Sequence, residues 1–185
     1  LAETIEISAD MKHFVFKLRP GVRFHDGAVL DAEAVVANYA RFWDARSPLY
    51  SPVAADFNRA GVETITRIEA LDRMTVQFVH DTPVPDFLRY MTEQDAPGAQ
   101  ALVSPNALRT HGPDGCIDRA PGTGPFCFHR RFDTQGGSAV ELRANEDYWQ
   151  GRPWLSGIRF LPFPNLADRV RALTKGVVDI AYSLE

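Results

Sequence analysis

The sequence predicts a mixed α/β protein, and three stretches predict it. Phe14, Phe16 and Leu18 alternate with Val15 and Lys17, the two-residue period of a half-buried strand. Val35, Tyr39 and Phe42 with Trp43 follow at helical spacing. Near the far end, a strand at Ile158 to Phe163, a helix with Leu166, Val170 and Leu173 on one face, and a strand at Val177 to Tyr182 read as a right-handed crossover candidate.

Taken in order, the first strand runs into two turn signals, Arg19-Pro20-Gly21 and His25-Asp26-Gly27. Asp31 stands at an N-cap position with Glu33 in the first turn, so a helix is expected from Asp31 to about Ala45. Ser47-Pro48 stops it, because the residue before a proline avoids the helical region. Alternation from Val62 to Ala70, a turn at Leu71-Asp72-Arg73, and alternation at Met74, Val76 and Phe78 predict a hairpin. Pro83 to Met91 reads as a short helix and Ala101 to Val103 as a short strand. Pro105 opens a helix through Thr110 that Gly112 ends. The aperiodic stretch from Gly112 to Gly124 marks the main internal boundary. Strands follow at Phe126 to Phe132 and Ala139 to Arg143 around Gly136-Gly137, then a helix-like turn at Glu146 to Trp149. Asn165 caps the last helix and Gly176 ends it. The closing strand has no neighbour after it, which leads us to expect a piece of a longer protein, and no signal peptide is read at Leu1.

Composition narrows the function. In 185 residues, 45% are hydrophobic and 24% charged, enough apolar material for a core. Twenty basic residues against 24 acids give a net charge of −4, which argues against nucleic-acid binding. Only three of the basic residues are lysine (Lys12, Lys17, Lys175), a bias of composition that marks no site. No run approaches a membrane span, so the chain reads as soluble and peripheral to a membrane at most.

Chemistry-bearing motifs are sparse. His13, His25, His80, His111 and His129 are scattered without ligand spacing, so neither a metal nor a cofactor is expected. No nucleophile elbow is present and any carboxylate pair would be an arbitrary choice, so nothing speaks for an enzyme. Gly122-Thr123-Gly124-Pro125-Phe126 lacks the Lys-Ser/Thr of a phosphate loop and opens a strand, and it reads as a turn where glycine lets chains pass closely. Cys116 and Cys127, the only cysteines, read either as a disulfide in an oxidising compartment, closing a loop worth about 3 kcal/mol, or as two buried thiols. Tyr50, in a proline-flanked loop with no apolar face to fill, is a ligand-contact candidate. The turn-rich loop holding Gln94 and Asp95 is a second cleft candidate.

Four segments together carry a resemblance. They are Phe16 to Gly27 with the helix start Leu30 to Val36; Pro121 to Phe126; Asn145 to Leu155, including Tyr148-Trp149; and Arg171-Ala172-Leu173 with Gly176 to Ala181. In this order, across nearly the whole chain, they resemble the bacterial extracellular solute-binding proteins of family 5, the peptide and nickel receptors of ABC importers. The resemblance implies a fragment of a two-lobed, periplasmic-binding-protein-like (type II) fold. Residues 1–120 would form most of an additional α+β subdomain, and residues 121–185 would return into the first ligand lobe. It implies a periplasmic receptor that catalyses nothing, encloses its solute between lobes and delivers it to a membrane permease.

Gly122, Gly124, Tyr148 and Trp149 would be structural, while the loops of Tyr50, Gln94 and Asp95 match segments facing the cleft in relatives. Metal-chelate binders of the family would offer Arg or Trp there. A peptide is therefore the leading ligand, with Asp95 able to pair with an amino terminus. Asp31-Ala32-Glu33-Ala34 and Asn38 resemble the nickel branch, which keeps a nickel chelate or another small solute as the alternative. A sensor or partner-binding protein on the same scaffold is a further alternative. The receptor reading also predicts an oxidised Cys116–Cys127 pair.

Overall fold

The computed structural model describes residues 1–92, 101–113 and 121–182. The chain divides into two compact units: residues 1–124 with 147–151, and residues 125–146 with 152–185.

The first unit is built on a four-stranded antiparallel sheet. Its strands are β1 (Ala2–Ile7), β2 (His13–Leu18), β3 (Ile65–Asp72) and β4 (Thr75–His80), in spatial order β1-β2-β4-β3. β2 buries Phe14, Phe16 and Leu18, and β4 buries Val76, Phe78 and His80, so the expected alternation holds on both central strands. β1 escapes the sequence reading because it is a short edge strand whose alternating residues, Ile5 and Ile7 included, stay exposed.

One helix, α1 (Ala32–Ala40), packs its Ala34, Val35 and Tyr39 face into the core. The Asp31 carboxylate accepts from Ala34 N at 2.9 Å, as expected of an N-cap. The helix ends five residues before the expected Ala45. Arg41 O instead accepts from Ser51 N, which folds the chain back, while Phe42 stays in the core.

The sequence reading also misses α2 (Pro52–Val62). Ser51 is its cap, with Oγ accepting from Ala54 N at 3.1 Å, and Pro52 is its first residue. The short α3 (Phe87–Thr92) follows the hairpin. α4 (Pro105–His111) runs from the Ser104 cap to Gly112 at φ +73, as expected. The rings of Phe14, Phe16, Phe78 and Phe87 meet edge-on or tilted at centre separations of 4.7–6.4 Å, with Tyr39 against Phe78.

Ala101 to Val103 forms no strand. The Asn38 side chain takes the place of a strand neighbour: its Oδ1 accepts from Val103 N and its Nδ2 donates to Val103 O, both at 2.8 Å. Nδ2 also donates to Ala34 O at 2.8 Å. Asn38 itself is 2% exposed.

In the second unit β5 (Phe126–Thr134), β6 (Gly137–Ala144) and β7 (Gly157–Phe160) form an antiparallel sheet in that order. Register sets Arg130 and Arg159 on either side of Glu141, at 2.9 and 3.4 Å. The Arg130 hydrogen bond lowers the pKa of the Glu141 carboxyl, with help from the nearby positive charges. β7 stops at Phe160, short of the expected Phe163. Pro162 and Pro164 cannot donate to a ladder.

The last helix, α5 (Leu166–Thr174), is capped by Asn165, whose Oδ1 accepts from Asp168 N at 2.9 Å. Gly176, at φ +66, closes it. The expected strand at Val177 to Tyr182 does not form, nor does the crossover that needed it. No strand pairs with this segment among the described residues, and Ile180 and Tyr182 stand 85% and 90% exposed. Glu146 to Trp149 forms turns, in keeping with the turn expected there.

Glycine is required at places other than those expected. The sequence places a close chain approach at Gly122 and Gly124, yet a Cβ on Gly122 would meet nothing nearer than 3.9 Å and one on Gly124 nothing within 4 Å. The tight sites are Gly136 and Gly157, where a Cβ would lie 2.0 Å from Pro162 O and 2.5 Å from Leu142 O.

Candidate functional site

Three of the four motif segments meet within the first unit. His25 N donates to Gly122 O at 2.8 Å and Nε2 bonds Gly124 O at 2.9 Å. A carbonyl only accepts, so Nε2 carries the proton. The Asp26 Oδ2 accepts from Ser104 Oγ at 2.5 Å, and Ser104 N donates to Pro121 O at 2.9 Å. The third segment contributes Trp149, which packs against the core and carries the Arg19 guanidinium 5.1 Å from its ring centre. Tyr148 stacks edge-on against Trp149 and donates to Gln150 Oε1 at 2.7 Å.

These contacts hold the chain path, joining the His25 turn to the Gly122–Gly124 segment. Replacing His25 by alanine should therefore cost about 1 kcal/mol, the worth of one hydrogen bond. Chemical denaturation would read this, and an unmoved midpoint would show that the clamp is idle.

The candidate ligand contact Tyr50 lies between α1 and α2, its N–H donating to Ser47 O at 3.0 Å. It lines a recess of 820 Å³ with Phe42, Trp43, Ala55, Asp56 and Glu63. Trp43 is fixed there by Nε1 donating to Ile65 O at 2.7 Å. Aromatic walls with two carboxylates suit a ligand that has apolar bulk and a donor or cationic end.

The sequence names Tyr50 as a candidate but not the residues that line the recess with it. Asp56 stands on α2, and Ser51-Pro52 was the signal that would have revealed that helix. Gln94 and Asp95 lie outside the described residues, so their relation to Tyr50 is not part of this geometry. No group of three or more His, Cys, Asp or Glu able to hold a metal ion occurs among the described residues.

Cys127 on β5 is a free, half-buried thiol whose pKa burial pushes up, which favours the protonated form. Cys116 lies outside the described residues. The expected disulfide therefore finds no support. No helix among the described residues is long and apolar enough to cross a membrane.

The profile of the bacterial extracellular solute-binding proteins, family 5 Middle, matches residues 1–185. The chain belongs to this family. Di/tripeptide-binding protein 4 of Pseudomonas aeruginosa is 34% identical to the family-5 chain over 172 residues, covering 86% of it and 31% of the relative. Among solved structures, the periplasmic binding protein DppA from Helicobacter pylori in complex with peptide STSA is 26% identical. It superposes with a TM-score of 0.81, over 96% of this chain and 36% of that one. MoaA from A. tumefacien R10 in complex with mannopinic acid is 32% identical with a TM-score of 0.78, over 97% and 34%. The family-5 chain thus spans about a third of the length of the relatives it matches.

Proposed function

We propose that this chain is part of the extracytoplasmic solute-binding component of an ABC importer, which captures peptides between two lobes and hands them to a membrane permease without catalysis. The observation that carries this reading is the 34% identity to a di/tripeptide-binding protein across 86% of the chain. Residues 1–120 are proposed as the additional subdomain and residues 121–185 as part of the first ligand lobe.

The second unit supports an incomplete lobe. Ala139 and Ala172 are its buried residues among those described, while Leu155, Phe160 and Val177 are exposed and Trp154 is 102% exposed. Apolar surface on this scale calls for further protein to cover it. Tyr50, Gln94 and Asp95 are the proposed ligand contacts, with Gly122, Gly124, Tyr148 and Trp149 in structural roles. A different small solute is the second reading, favoured by the similarity to the mannopinic acid complex.

A thermal-shift screen of the full-length protein tests this, with this chain as a control. The panel holds di- to pentapeptides, free amino acids, mannopinic acid, and nickel with and without organic chelators. Peptides should stabilise the full-length protein and leave the chain alone unmoved. A shift with nickel chelates or mannopinic acid only would overturn the peptide assignment. An equal shift in the chain alone would overturn the divided site.

A further inference from the structure

His80 occupies an apolar slot. It is the last residue of the central strand β4, pairs with Ile65 and faces the core with Val76 and Phe78. It is 3% exposed. Its ring lies 4.5 Å from that of Phe87 and 5.5 Å from that of Phe14, both edge-to-face. Nδ1 bonds Thr64 Oγ1 at 2.9 Å, whereas the buried Nε2 has no hydrogen-bond partner. The less costly arrangement puts the proton on Nδ1, donating to Thr64, and leaves Nε2 a bare lone pair among aromatic carbons. Phe87 is the first residue of α3 and the ring that buries the start of that helix against Phe14, Phe78 and His80.

We propose that His80 is an acid-sensitive latch on α3: a proton taken from solvent onto Nε2 creates a buried N–H⁺ without an acceptor, and Phe87 and α3 undock to let water reach it. The neighbouring charges allow this. Lys12 and His13 stand at the start of β2, Glu63 before β3, Asp81 after β4, and Asp86 and Arg89 at α3. Among the described residues only the Asp81 charge acts on the imidazole, opposing the larger effect of desolvation, which lowers the His80 pKa. Lys12 is turned to the Asp81 carbonyl, with Nζ donating at 2.7 Å.

The sign follows from linkage. The unfolded chain binds the proton more readily, so the stabilisation is complete above the unfolded pKa of about 6.5. It is lost as pH falls from there through the lower folded pKa.

Hydrogen exchange of the full-length protein by mass spectrometry, at about pH 7.5 and about pH 5 and corrected for intrinsic rates, reads the latch on either side of the ordinary histidine pKa. Peptides spanning α3 should lose protection at the lower pH in the wild type and keep it in His80→Leu. Unchanged protection in the wild type, or an equal loss in the variant, overturns the proposal. Histidine C2-proton exchange on the wild type supplies a measurement that needs no variant. A His80 titration below 6.5 is expected, and one at or above 6.5 overturns the latch.

Discussion

Replacing Asn38 by leucine should destabilise the first unit by about 2–5 kcal/mol, because both the N–H and the C=O of Val103 would be left buried without partners. Leucine keeps the branching and the number of side-chain heavy atoms but is bulkier than asparagine, so part of the loss is overpacking at a site only 2% exposed. Asn38→Asp is the sharper variant. It keeps an acceptor for Val103 N, at 2.8 Å in the native pair, but turns a carboxylate oxygen toward Val103 O where an amide donated. It should be at least as damaging as the leucine, since an unpaired buried charge is added. Equilibrium denaturation of the three proteins decides this. Leucine within about 0.5 kcal/mol of the wild type, the scatter of an ordinary surface change, would mean that water replaces the clasp.

Gly136→Ala should lose about 3 kcal/mol from the second unit, the upper end of the usual overpacking cost. The obstructing atom is Pro162 O, 2.0 Å from the new Cβ, and it is backbone that cannot swing aside as a side-chain tip would. The segment carrying Pro162 or the β5–β6 turn has to move. Gly124→Ala is the matched control, with nothing within 4 Å of its Cβ, and should fall within about 0.5 kcal/mol of the wild type. Amide exchange across residues 126–144 would show the difference locally. Equal protection in the two variants would mean that the turn absorbs the methyl freely.

Much of the secondary structure was legible because local signals agreed with the final packing. Asp31 and Asn165 cap their helices where read, and Pro105 opens its helix where read. The alternation in β2 and β4 survives because the two strands pair with each other in register. Ser51-Pro52 carries the same cap-and-proline signal as Ser104-Pro105, but beside Ser47-Pro48 and Tyr50 it looks like more of the loop, so α2 and its Asp56 escape the sequence. Tyr50 was legible as a loop aromatic. Trp43 and Glu63 were not, since they reach the recess from separate parts of the chain.

By itself the amino-acid sequence determined the caps, the turns, the strand periods and, through four motif segments in order, the family. Each of these depends on residues close together in the chain or on a pattern that survives without contacts. Tertiary structure alone decided the fate of the ambiguous stretches. Ala101 to Val103 has the composition of a strand, but Asn38 takes up its hydrogen bonds. Val177 to Tyr182 has the composition of a strand and remains unpaired among the described residues, because a strand is stable only with a neighbour to bond. The burial of His80 among phenylalanines was equally undecided until β4 met β2 and α3, because a side chain's solvent is set by what folds over it.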